Sequence, residues 1–244
     1  MKNNFIIAIA LIQTICLGSL TTSCSYSYYP RLIGIPLIKE KGDTRVEGGI
    51  TFMPATVQAS VSHGVTEKIA VQVAGTANAI PASVFDTDGQ FYGHGAIGFY
   101  KKIKDHYITE LYGGFAYGQV GSTATFFKGT TESGNYQMYF TQFNFGNIEK
   151  KPSNLELGFG LKLGYMHSDM RIVSELYDKE YNINGIFVEP TLLMRRGGPK
   201  WKFHVALGAC WLFQLTNTPG IAWWPVNFGI GVSYLFGKNK NNVN

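Results

Sequence analysis

Strict alternation of apolar residues with polar or very small ones is the feature that most constrains this chain. Between Asn154 and Met166, leucine, phenylalanine and tyrosine occupy every second position, and glycine, glutamate and lysine fall between them. Because successive side chains of a strand point to opposite faces, this segment has one apolar face and one polar or glycine face. A glycine-rich face cannot build a hydrophobic core, so the apolar face requires apolar surroundings outside the sheet, and a lipid bilayer provides them.

Several segments share this pattern, and their lengths match the ~9–11 residues of a tilted strand that crosses a bilayer. After the first hairpin, short and long connections alternate, as in barrels with short periplasmic turns and longer extracellular loops. We therefore predict an all-β fold, a transmembrane antiparallel up-and-down β-barrel of about ten strands, with eight as the lower bound. The predicted strands cover 44–53, 55–63, 69–77, 91–100, 107–117, 135–145, 154–166, 183–194, 201–213 and 225–236.

Composition and charge exclude several classes of protein. Of the 244 residues, 15% are charged, well below the ~25% usual in soluble domains. The longest apolar run, Phe5 to Ile12, is far shorter than the ~20 residues of a membrane-spanning helix, which excludes a polytopic helical membrane protein. The formal charge of +5 is divided between basic short turns and acidic long loops. A nucleic-acid partner would require a continuous basic stripe, so we expect none.

The first residues have the layout of a bacterial secretory signal: a basic start, an apolar run, and small residues up to Cys24. The stretch Leu20-Thr21-Thr22-Ser23-Cys24 resembles the lipobox of bacterial lipoproteins, although its leucine lies four residues before the cysteine instead of three. The resemblance implies a lipoprotein signal peptide over 1–23, lipidation of Cys24, and a lipidated periplasmic tether over 24–43. An ordinary signal peptide followed by a free cysteine is the alternative.

The remainder is predicted as an outer-membrane barrel over 44–236 and a polar C-terminal tail over 237–244. The stretch Gly231-Val232-Ser233-Tyr234-Leu235-Phe236 resembles the C-terminal signal that the barrel-assembly machinery recognises. The layout as a whole resembles the small outer-membrane β-barrel lipoproteins of the Gram-negative Bacteroidota, which share no uniform activity. This implies a protein of the cell outer membrane, lipid-anchored through Cys24, with both barrel termini periplasmic. The implied partners are outer-membrane lipids, the assembly machinery during biogenesis, and other outer-membrane proteins.

The polar residues between the apolar ones should face the barrel interior. A barrel of this size is narrow, and charges of both signs confined in it should pair, because an unpaired buried charge is costly. This favours a polar plug over an ion path or an interior catalytic site. The histidines show no paired metal-ligand spacing, so we expect no metal and no cofactor. The predicted interior cluster is Arg45, Glu47, His94, Glu110, Glu156, Lys162, Glu189, Lys202 and His204.

Two enzyme classes use barrels of similar size. Omptin-type outer-membrane proteases carry acidic residues and a histidine at the extracellular rim, which His167 and Asp169 resemble. Lipid A-modifying barrels use a histidine, a serine and a carboxylate, the residue types of His167-Ser168-Asp169. Adjacency in sequence does not give the geometry of a nucleophile, a base and an orienting group, so these are weak catalytic candidates.

We therefore expect a non-enzymatic outer-membrane lipoprotein with a structural or accessory role in a membrane complex. The enzymatic alternative is a lipid- or peptide-modifying hydrolase or acyltransferase that acts at the extracellular rim. Two binding functions are also compatible with the pattern: a narrow conduit for small ligands, and a lipid-anchored soluble barrel that binds an apolar ligand. The soluble barrel would place glycine and lysine where its interior walls should be apolar.

Overall fold

A computed structural model of the chain describes most of the barrel and part of the segment that precedes it. In the described residues the regular elements are all strands. None of these residues forms a helix long and apolar enough to cross a membrane. The described residues are Tyr28, Leu32, 34–52, 55–78, 90–103, 106–124, 131–148, 154–173, 178–216 and 225–237.

These strands form one antiparallel sheet in which consecutive strands pair, except that the ninth and tenth both pair with the eighth. β11 (Val226–Phe236) pairs with both β1 (Thr44–Phe52) and β9 (Trp201–Ala209), and β9 pairs with β8 (Asp178–Gly197), so the sheet closes into a barrel. β9 and β10 are two halves of one barrel strand, interrupted at Cys210, and the barrel therefore has ten strands, as predicted. The strands are β1 (Thr44–Phe52), β2 (Ala55–Gly64), β3 (Ile69–Asn78), β4 (Gln90–Ile103), β5 (Tyr107–Ala124), β6 (Thr131–Asn147), β7 (Leu155–Val173), β8 (Asp178–Gly197), β9 (Trp201–Ala209), β10 (Trp211–Gln214) and β11 (Val226–Phe236).

The outer face of the barrel carries the predicted apolar stripe. Val73 is 64% exposed, Ile97 61% and Phe203 74%. Apolar residues exposed on every strand form a continuous belt, far beyond the few hundred Å² of apolar patch usual on a soluble monomer. The belt requires an apolar environment, in agreement with an outer-membrane type of barrel.

Two predicted loops, 118–134 and 167–182, are largely strand. The alternation continues there but reverses phase: on β7 the outward residues are apolar up to Tyr165, whereas beyond it His167 and Asp169 point outward and Met170 points inward. Past the edge of the belt the outer surface meets water and the inner surface needs apolar packing, which explains the reversal. In these regions β5 ends at Ala124 and β6 begins at Thr131, while β7 ends at Val173 and β8 begins at Asp178.

Candidate functional site: the filled barrel lumen

The described part of the predicted tether lies inside the barrel. We call Tyr28, Leu32 and residues 34–40 the lumenal segment. Its apolar side chains are at most 5% exposed, among them Leu32, Ile35 and Leu37. The expectation of a tether over 24–43 thus differs from the structure at these residues. Pro36 and Gly34 interrupt any periodic pattern, yet the aliphatic side chains around them still gain from burial and find it in the lumen.

Side chains of the barrel wall bind the backbone of the lumenal segment. The carbonyl of Gly34 accepts hydrogen bonds from the side-chain amides of Gln142 and, at 3.2 Å, Asn144. The guanidinium of Arg195 donates to the carbonyl of Ile35 at 2.5 Å. These bonds satisfy buried backbone groups of a segment that lies outside the sheet ladders, and they hold the segment at a defined position.

Two inward carboxylates hold the two ends of the lumenal segment. The backbone N–H of Ile38 donates to Glu110 Oε1 at 2.8 Å. At the other end, the hydroxyl of Tyr28 donates to the carboxylate of Glu189, which also lies 3.7 Å from Lys162 Nζ. The wall therefore binds the segment at Tyr28, Gly34, Ile35 and Ile38.

Glu156 lies at the centre of a buried charge cluster near the turn end of the barrel. Its carboxylate oxygens lie 3.0 Å from Arg45 Nη1, 3.6 Å from Lys39 Nζ, 3.8 Å from Arg195 Nη1 and 3.9 Å from Lys202 Nζ. Lys39 belongs to the lumenal segment, so the cluster joins that segment to the wall. A carboxylate surrounded by cations in this way offsets part of the cost of burying them.

The cluster has a second anion, Glu47, whose carboxylate accepts a hydrogen bond from Arg195. Sequence reasoning placed Arg195 in a turn over 195–200, but β8 continues to Gly197 and buries it completely. The alternation of inward residues from Glu189 through Leu193 would have predicted this position. Lys39, Gln142 and Asn144 were also missed as site residues. The structure buries all the side chains predicted for the interior, each at most 8% exposed: Arg45, Glu47, His94, Glu110, Glu156, Lys162, Glu189, Lys202 and His204.

Towards the long loops, the side of the lumen lined by β4 to β8 and β10 is largely apolar, which the prediction of a polar interior did not include. The ring of Tyr28 packs edge-on against Tyr136, with ring centroids 5.6 Å apart, and tilted against Phe187. His94 lies there between Tyr92 and Phe140. The buried residues of this apolar layer are Tyr28, Tyr92, Ala116, Val120, Tyr136, Met138, Phe140, Met166, Met170, Ile183, Phe187, Cys210 and Leu212.

Inward glycines make room for these rings. A Cβ added to Gly118 would lie 2.0 Å from the ring of Tyr136 on the neighbouring strand, and one added to Gly98 would lie 2.5 Å from the ring of Tyr112. Each glycine thus lies beneath an aromatic ring. The wall and its rings pack closely at these positions.

A tight turn joins the lumenal segment to β1. Gly42 has φ +86°, a left-handed conformation that favours glycine. The carboxylate of Asp43 accepts the backbone N–H groups of Lys39 at 3.1 Å and Glu40 at 3.2 Å. Burial raises the pKa of this carboxyl, and the two N–H donors oppose the rise. The N–H of Gly42 donates to the carbonyl of Gly64, so the turn docks on the end of β2.

The structure brings together two of the three weak catalytic candidates, His167 and Asp169, and separates Ser168 from them. His167 and Asp169 lie on the outer face of β7, with 3.6 Å between Nε2 and Oδ1, while Ser168 points into the lumen and is 1% exposed. His167 Nδ1 lies 2.8 Å from the side-chain oxygen of Asn184. Serine and histidine on opposite faces of one strand do not form a nucleophile–base pair. Among the described residues, no group of three or more histidine, cysteine or acidic side chains could hold a metal ion.

Comparison with known proteins supports the fold. No family model matches the chain, and no curated protein matches it. Among solved structures, the outer membrane protease OmpT from Escherichia coli is similar, with a TM-score of 0.50 and 10% sequence identity over 80% of this chain and 93% of that chain. At this identity the similarity shows the fold alone. The chain forms a closed ten-strand antiparallel barrel of the outer-membrane type.

Proposed function

We propose that this protein is a closed, non-enzymatic outer-membrane barrel with a structural or accessory role in a membrane complex. The observation that carries the proposal is the lumenal segment, bound through its backbone by Gln142, Asn144, Arg195 and Glu110. A narrow barrel that forms an open pore, or that holds a reaction within its lumen, would keep that space open. This one fills it with its own chain.

The packing of the lumen supports a closed barrel over a conduit. Two cavities beside the lumenal segment, lined in part by Leu32, have volumes of about 10 Å³ each. A space of this size holds about one water molecule. The charged side chains around them are already engaged with one another or with the segment, so passage of an ion would require the segment to leave.

The proposal includes the placement of the barrel in the cell. Outer-membrane lipids cover the apolar belt, the short turns face the periplasm, and the extended β5–β6 and β7–β8 hairpins project outward. We further propose the Bacteroidota type of lipoprotein, lipidated at Cys24, with the barrel-assembly machinery as a partner during biogenesis. Other outer-membrane proteins are the proposed partners of the assembled barrel. Cys24 lies outside the described residues.

Planar-bilayer recording tests the closed lumen. The purified full-length barrel should show no stepwise conductance. A variant in which residues 28–38 are replaced by a glycine-serine linker of equal length should conduct, because the linker lacks the side chains that fill the lumen. Heat-modifiable gel migration shows whether each protein is folded. Conductance by the folded wild-type protein would overturn the closed barrel.

Lipid A profiles and peptide cleavage test the non-enzymatic role. We expect cells with and without the protein to have the same lipid A species and the same surface peptide cleavage. An activity that the wild-type protein confers and His167→Ala abolishes would overturn the proposal in favour of a rim enzyme. Asn182→Ala, which also changes a polar residue of the extended hairpin, is the matched control.

A further inference from the structure

The lumenal segment runs along the barrel from one end to the other. Tyr28 packs against Tyr136, which pairs with Ser168, just beyond the edge of the apolar belt on the long-loop side. Leu37 reaches the turn end, where a Cβ on Gly146 would lie 2.6 Å from its side chain. The direction of the segment is therefore from the long loops, at Tyr28, to the turns, at Leu37.

The length of the segment agrees with this direction. On β6, the distance along the barrel axis between Tyr136 and Gly146 is about 26 Å, at about 3.4 Å per residue and a strand tilt of about 40°. An extended chain from Tyr28 to Leu37 spans at most about 30 Å. Nine residues are therefore just enough to join the position of Tyr28 to that of Leu37.

From this we infer that the mature chain is threaded through its own barrel. Cys24 precedes Tyr28 by four residues, a reach of at most about 14 Å, whereas the turn end lies about 26 Å away by the strand geometry above. The lumenal segment already occupies the lumen between Tyr28 and the turn end. We propose that the mature N-terminus emerges at the long-loop end, and that acyl chains on Cys24 enter the leaflet on that side.

The other end of the barrel domain leaves on the opposite side. Phe236 pairs with Thr44 at the turn end, and the N–H of Leu235 donates to the carbonyl of Lys200 in the last turn. The tether expected in the periplasm is thus replaced by a segment that crosses the barrel. The assignment of the long-loop end to the cell exterior, and the lipidation of Cys24, rest on the proposed function.

Thiol labelling in cells tests the threading. Single cysteines are introduced into a Cys210→Ala parent by Ser25→Cys, by Asp169→Cys as a marker of the long-loop end, and by Lys68→Cys as a marker of the turn end. Both marker positions are exposed. A membrane-impermeant maleimide is applied to intact and to permeabilised cells, and labelling is compared with the parent. Heat-modifiable migration confirms that each variant is folded.

We expect Ser25→Cys to be labelled in intact cells to the same extent as Asp169→Cys, and Lys68→Cys only after permeabilisation. If Ser25→Cys instead follows Lys68→Cys, or reacts only after denaturation, the threading is overturned. If the two markers exchange behaviour and Ser25→Cys still follows Asp169→Cys, the threading holds and the proposed orientation fails. The two proposals are therefore tested separately.

Discussion

Glu156→Gln should destabilise the barrel strongly, because this carboxylate faces four cationic side chains within 4 Å and is itself 1% exposed. Glutamine keeps the size and one acceptor oxygen, but it removes the charge and replaces the other oxygen by an N–H donor that faces cations. Breaking a buried ion pair by removing one partner typically costs about 3–5 kcal/mol, since the other charge stays buried without compensation. Here Glu47 remains as a partial partner, and we expect the lower value, about 3 kcal/mol.

Unfolding by urea of the barrel reconstituted in vesicles, followed by heat-modifiable migration, measures this free energy. Three kcal/mol corresponds to roughly a hundredfold change in the folding equilibrium. Glu180→Gln on the exposed face of β8 is the matched control, because exposed ion pairs contribute at most about 1 kcal/mol. Adding Lys202→Gln to Glu156→Gln should restore part of the loss, since it removes one of the cations that Glu156 had balanced. A loss for Glu156→Gln no larger than that for Glu180→Gln would refute the reasoning.

Five further substitutions probe the wall, the belt and the turn in the same unfolding assay. Gly118→Ala should cost about 1–3 kcal/mol by forcing the ring of Tyr136 away, whereas Gly113→Ala, which meets open space, should change stability little; equal losses would contradict this packing. Val73→Arg should cost about 2–4 kcal/mol if lipid covers the belt, and near zero if water does. Asp43→Ala should cost about 1–3 kcal/mol through two lost acceptor bonds, while Asp43→Asn should match or exceed the wild type at pH 7. The sign follows from the raised pKa: the stabilisation from this carboxyl is greatest below its ordinary pKa of 3.8 and is lost as pH rises through the folded value.

The strands could be predicted because period-two alternation indicates both that a segment is a strand and which of its faces points outward. β11 and the part of β7 up to Tyr165 are the clearest cases, with an aromatic or aliphatic residue at nearly every outward position. The strand ends could not be predicted by the same reasoning, which required the apolar face to point outward. Beyond Tyr165 the outer face meets water instead of lipid, and the inner face meets apolar instead of polar packing. The alternation therefore continues, but polar residues now point outward and apolar residues inward.

The lumenal segment was missed for a different physical reason. The wall side chains that bind it, such as Asn144, Gln142 and Glu110, contact its backbone N–H and C=O groups. Every residue except proline offers both groups, so no residue pattern in the segment identifies it as their partner. What did distinguish the segment was its aliphatic content, since Leu32 and Ile35 would have no apolar contact in an exposed tether. Some inward amides and carboxylates of a barrel wall are not needed for ion pairs within the wall. Such a surplus therefore indicates that a further piece of backbone lies inside the barrel.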